Sequence, residues 1–201
     1  LNPASTETIR TFIAIDLPVE LKREIAGIQK RLRPFFDKAR VSWVRLDNMH
    51  LTLRFIGDVP ANDISTIIRA GEMLRCIPAF EIYMNGMGFF PNVRKPRVLW
   101  CGYDDSTSLT GTQALVEKTV AQSGFPAEEK PFVPHITLAR IKELQTKPGS
   151  PFFVDMNAAQ KEIDSIRLFF THTVNSIRLI KSRLSPKGSD YTVLHEWRLK
   201  V

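Results

Sequence analysis

Cysteine is scarce: Cys76 and Cys101 are the only two among 201 residues. That excludes a disulfide framework and any Cys-based metal spacing, and a reducing, cytoplasmic setting is expected. Long apolar runs are missing, which excludes a helical membrane span. The first ten residues are polar, with neither an apolar stretch nor a small-residue cleavage site, so no secretory leader is expected. There is no P-loop and no GxGxxG, which argues against phosphate cradling by a glycine-rich turn. A GxSxG elbow is absent, and with it the usual serine-hydrolase entry point. Neither HExxH nor HxH occurs, and no metal site or cofactor is expected. Acidic residues are in deficit, 21 against 28 Lys and Arg, for a net charge of +7 and a pI near 9.6. That balance favours an anionic partner, either nucleic acid or a phosphorylated small molecule.

Histidine is also sparse, with four in the chain, yet two of them repeat one pattern: His50-Leu51-Thr52-Leu53 and His135-Ile136-Thr137-Leu138. At ordinary residue usage an HxTL match arises at a given histidine about one time in two hundred. Each copy sits in an apolar run that reads as a β-strand. Side chains alternate faces in a strand, so each histidine shares a face with its threonine while Leu51, Leu53, Ile136 and Leu138 point to a core. Two such strands suggest a cleft with an imidazole and a hydroxyl on either wall.

Strand and helix patterns alternate along the chain. Strands are expected at 11–17, 41–46, 50–56 (ended by Gly57), 80–87, 97–103, 133–141, 167–173, 176–184 and 191–199. Helices are expected at 19–32, stopped by Pro34; from Asn62 or Asp63 to about 75; at 106–122; and as a short turn at 157–162. Residues 144–151 read as a surface loop and 185–188 as a turn. Residues 1–8 are expected to be a disordered or expression-derived N-terminus, and 9–201 a single bilobal domain. No assembly signal is visible, and a monomer is expected.

In-line cleavage of a phosphodiester takes a proton from the attacking oxygen and gives one to the leaving oxygen, on opposite sides of phosphorus. Two imidazoles suit this because both protonation states are accessible near neutrality. The threonine hydroxyls can donate to non-bridging phosphate oxygens. Arg54, two residues beyond Thr52, falls on the face of His50 and is a candidate phosphate clamp. Arg140 is a further candidate for substrate binding, although it is out of phase with His135 unless its strand is bulged or ends earlier. Phe12 is a candidate stacking surface for a base, although a core position suits it better. His172 and His195 lack a following HxT threonine and read as surface or strand-edge histidines.

These residues resemble the 2H phosphoesterase superfamily, and within it the RNA 2′,3′-cyclic phosphodiesterases (ThpR or LigT-like, once described as 2′-5′ RNA ligases). The likeness also covers residues 12–17, 48–57, 88–91, 134–140 and 182–188 with Tyr191. It implies an α+β, bilobal fold: two antiparallel sheets around a central cleft with helices outside. It implies no metal and no cofactor. The implied activity is hydrolysis of RNA 2′,3′-cyclic phosphate ends, or of cyclic nucleotides, to 2′-phosphates. Carried over by motif, His50 matches the proton donor, His135 the proton acceptor, and Thr52 and Thr137 the phosphate-binding hydroxyls. Reverse chemistry, 2′-5′ joining of RNA, and a non-catalytic RNA-end-binding module are the rival expectations.

Overall fold

The structure, a computed structural model, describes residues 7–104, 106–185 and 188–200. In chain order its elements are β1 (Thr8–Asp16), α1 (Val19–Leu32), β2 (Arg40–Trp43), β3 (His50–Pro60), α2 (Ile64–Ala70), β4 (Phe80–Phe90), β5 (Val98–Tyr103), α3 (Thr107–Gln122), β6 (His135–Glu143), α4 (Met156–Ser165), β7 (Phe169–Val174), β8 (Ser176–Ser185) and β9 (Gly188–Arg198). All strand pairings are antiparallel. They form a four-stranded sheet, β3-β1-β8-β9, and a five-stranded sheet, β2-β6-β5-β4-β7. The α+β, two-sheet architecture that the family resemblance implies is therefore present.

Local chemistry accounts for the helices. In α1, Leu21, Ile25, Ile28 and Leu32 recur at helical spacing and are all buried, Glu20 lies in the first turn, and Lys30 and Arg31 lie in the last. Those charges oppose the helix dipole. The Ser106 hydroxyl accepts from Leu109 N at the start of α3, and Asp155 accepts from Asn157 N and Ala158 N at the start of α4. Both are N-caps that satisfy otherwise unpaired amides. One contiguous core joins Ile13 and Leu51 of the first sheet to Leu99 and Ile136 of the second, and α1, α3 and α4 turn their apolar sides into it.

Several boundaries differ from the pattern reading, each for a reason in the fold. The second helix does not run to residue 75. It ends at Ala70 and tightens into a 3-10 turn over Gly71–Cys76. Trp197 Nε1 donates to the Ile68 carbonyl at 3.3 Å, and a Cβ on Gly71 would stand 2.3 Å from the Trp197 ring. The indole takes the carbonyl that the amide of Glu72 would use in an α-helix. Gly57 does not end β3; it adopts φ +93° and the strand runs on to Pro60. A register shift against β1 falls beside it, so the glycine marks a bulge and not a stop. β1 starts at Thr8, paired with Pro60. Residues 1–6 and the turn residues Pro186 and Lys187 lie outside the described residues.

Candidate active site

The two His/Thr segments open β3 and β6, and the burial of the two strands runs in step. Leu51, Leu53, Ile136 and Leu138 are buried, while His50, Thr52, His135 and Thr137 stand half-buried on the other face. Each strand then slips register at the same place. Thr52 pairs with Ala14 but Arg54 with Ile13; Thr137 pairs with Trp100 but Ala139 with Leu99. A bulge puts two successive residues on one side and reverses the alternation beyond it. Leu53 and Arg54 therefore both turn inward, as do Leu138 and Ala139, and Phe55 and Arg140 turn outward. His50, Thr52, Phe55, His135, Thr137 and Arg140 line a single cleft of ≈ 510 Å³.

The bulges overturn the expectation for Arg54 and meet the condition set for Arg140. Arg54 does not join the cleft: it is 7% exposed, pairs with Glu117 at 3.0 Å and Glu128 at 3.2 Å, and donates to the carbonyls of Phe55 and Pro126. Arg140 does join it, with Lys142 two residues on. Phe12 takes the core position that suited it better, and is not a stacking surface for a base. It is 1% exposed and lies beneath His50, ring centroids 4.7 Å apart and planes 28° apart, so it supports the imidazole and offers no face to a base. His172 is on edge strand β7 but is buried at 7% exposure, with neither ring nitrogen hydrogen-bonded. His195 is half-buried on β9, 3.5 Å from Glu72.

Both site histidines are held in the same way. His50 Nδ1 donates to the Asn48 carbonyl at 2.8 Å, and His135 Nδ1 donates to the Val133 carbonyl at 2.7 Å. A carbonyl only accepts, so Nδ1 carries the hydrogen and Nε2 is left to exchange a proton. The side chain of Asn48 donates to the Ser189 carbonyl at 2.6 Å, tying that support to the β8–β9 hairpin. Tyr191, on the same hairpin, meets His50 edge-on at 5.3 Å. His135 takes an edge contact from Phe90 at 4.9 Å, and Phe90 stacks on Trp100 at 5.1 Å. Gly88 and Gly102 leave room for that indole, since a Cβ on either would fall 2.6 Å and 2.9 Å from it.

These apolar supports act on the titration of both rings. Burial pushes His50 down to about 4, and Lys22 and Arg140 add to the shift, while the Asn48 hydrogen bond and Asp16 oppose it. Burial also lowers His135, again with Arg140 contributing and the Val133 hydrogen bond opposing. Removing an imidazolium from water disfavours the charged form, and a nearby cation does the same. Among the described residues no group of three or more His, Cys, Asp or Glu is placed to hold a metal ion. What converges on the cleft is two imidazoles, the hydroxyls of Thr52 and Thr137, and the cations Arg45, Arg140 and Lys142. That set can transfer protons to and from a bound anion and hold its oxygens.

The sequence pattern locates the His/Thr pairs but misses Phe55, Lys142 and Asn48. Bulges leave no local signature in a single strand, although a buried arginine beside a half-exposed phenylalanine is their visible consequence.

The chain matches the model of LigT like phosphoesterases over residues 15–100 and 104–191. It is 33% identical to a Thermotoga maritima protein named RNA 2′,3′-cyclic phosphodiesterase, over 94% of each chain. Among solved structures, a protein of Thermus thermophilus superposes with a TM-score of 0.76 at 28% identity, over 94% of this chain and 97% of that one. E. coli LigT complexed with 3′-AMP gives a TM-score of 0.75 at 28% identity, over 97% and 100% of the two chains. Fold, motif order and matches over nearly the whole chain agree: the protein belongs to the LigT-like phosphoesterases of the 2H superfamily.

Proposed function

We propose that the protein hydrolyses RNA 2′,3′-cyclic phosphate ends to 2′-phosphates, with His135 as proton acceptor and His50 as proton donor. The observation that carries this reading is the pair of Nδ1-anchored imidazoles, each beside a threonine, on one cleft. The name of the Thermotoga relative supports the substrate, and the family likeness supports the assignment of roles.

In this mechanism water attacks phosphorus opposite the 3′-oxygen. Its proton passes to His135 Nε2 as the new P–O bond forms. The P–O3′ bond breaks, and His50 Nε2–H protonates the leaving 3′-oxygen, leaving phosphate on the 2′-oxygen. Thr52, Thr137 and Arg140 donate to the non-bridging oxygens and hold the group in line. Without substrate, burial, helped by Lys22 and Arg140, keeps His50 neutral. The phosphate anion, together with Asp16 and the aromatic face of Phe12, favours the imidazolium, so substrate itself prepares the donor. Both proton transfers are supplied by side chains, and the reading requires no metal. Residues 9–201 serve as one domain, and a monomer suffices because one chain contributes both half-sites. The reducing cytoplasm fits Cys76 and Cys101, which are unpaired.

The test is hydrolysis of a short RNA ending in a 2′,3′-cyclic phosphate, with EDTA present. The wild type should yield a 2′-phosphate, and His50→Ala and His135→Ala should each lose about 10²–10⁴-fold in rate while remaining folded. A 3′-phosphate product, or full activity in either variant, would overturn the assignment.

A further inference from the structure

We infer that the cleft continues into a cationic track along the end of the five-stranded sheet, which holds the RNA strand upstream of its cyclic end. The protein is thereby built for polynucleotides over mononucleotides. The inference rests on the function proposed above.

Arg140 and Lys142 line the cleft on β6. From Thr137 to Lys142 the strand advances about 16 Å at roughly 3.3 Å per residue. There it meets Arg97: Ile141 N donates to the Arg97 carbonyl at 2.8 Å, and Arg97 Nη1 donates to the Lys142 carbonyl at 3.1 Å. Arg97 closes the β4–β5 turn, which carries Arg94 and Lys95. That turn is ordered by its own chemistry. Asn92 Oδ1 accepts from Arg94 N at 3.0 Å and from Lys95 N at 3.2 Å, and Pro96 is buried. The cations therefore sit on a preorganised backbone, and binding them to an anion orders little more than their side chains.

Charge pairing distinguishes this side of the cleft from the other. Residues 82–103 and 130–142 contain no Asp or Glu. Among the described residues, Arg94, Lys95, Arg97, Arg140 and Lys142 have no carboxylate within ion-pair distance. On β2, the other neighbour of β6, Arg40 pairs with Glu143 at 3.6 Å, and beyond the end of that strand Arg45 pairs with Asp190 at 3.4 Å. Neutralised cations give a polyanion little to bind, whereas an unpaired series releases counterions for every phosphate it contacts. A strand whose cyclic end lies between His50 and His135 thus gains most by leaving along Arg140, Lys142, Arg97 and the 94–95 tip.

The experiment compares kcat/KM for adenosine 2′,3′-cyclic phosphate and for a single-stranded octaribonucleotide ending in a 2′,3′-cyclic phosphate, between 50 and 200 mM salt. Wild type and the triple variant Arg94→Gln/Lys95→Gln/Arg97→Gln are measured side by side. The octamer should show the steeper salt dependence. The triple variant should reduce its log–log slope by about 2, at roughly 0.7 for each phosphate no longer neutralised, and leave the mononucleotide within about twofold. Equal slopes for the two wild-type substrates, or an equal loss on both in the variant, would overturn the track. If neither substrate turns over, the proposed function fails. Fluorescence anisotropy with the same octamer ending in a 2′-phosphate then decides the track by the same slope difference.

Discussion

Arg140 occupies a position from which one side chain acts on both site histidines. Burial lowers the pKa of each, and the Arg140 cation lowers both further. Replacing it by methionine removes a positive charge, which favours imidazolium at both sites and raises both pKa values. In the proposed mechanism, with His135 as base and His50 as acid, the acid limb of kcat/KM reports His135 and the alkaline limb His50. Arg140→Met should therefore slide the whole bell to higher pH, and KM should rise because one donor to the phosphate is gone. Profiles from pH 4 to 9 would check this; limbs that stay in place while KM rises would leave Arg140 as a phosphate ligand without influence on the imidazoles.

At the scale of the element, the bulge in β3 governs what the strand presents. It sends Arg54 inward to Glu117 and Glu128 and leaves Phe55 48% exposed in the cleft. Arg54 also fastens the segment that leads to β6, through the Pro126 carbonyl and Glu128. Removing one partner of a buried pair strands the other and costs about 3–5 kcal/mol. Glu117 and Glu128 keep some contact with water, so Arg54→Met should lose about 3 kcal/mol, read as a lower urea midpoint. An unchanged midpoint would mean that the pair contributes nothing net. Strand alternation by itself places Arg54 beside His50 and Arg140 away from His135, and both placements are reversed. The reversal arises from how β3 pairs with β1 and β6 with β5, partners remote in sequence.

For the whole molecule, two histidines shifted by their enclosure tie stability to pH. His50 and His172 are each pushed down to about 4, mainly by burial. An unfolded histidine titrates near 6.5, so between those values the unfolded chain binds more protons than the native one. Stability from these groups is complete above pH 6.5 and is lost as the pH falls towards 4. Thermal melts should drop progressively over that interval, and His172→Phe should make the drop shallower. A melting temperature constant from pH 7 to 4 would contradict the burial of both rings. The same enclosure serves the site, since the core that joins the two sheets also fixes the strands bearing His50 and His135.

The sequence alone determined the chemistry at hand: two histidines and two threonines in strands, each pair on a shared face, because a period of two and an apolar complement are local properties. It also determined most of the elements, since helix periodicity and caps are written within a few residues. Tertiary structure decided which other residues reach the cleft. Arg54 turned in, Arg140 and Phe55 turned out, and Phe12 came to lie under His50. A one-residue slip between paired strands inverts every side chain beyond it, and that slip is set by the partner strand, which no local pattern contains.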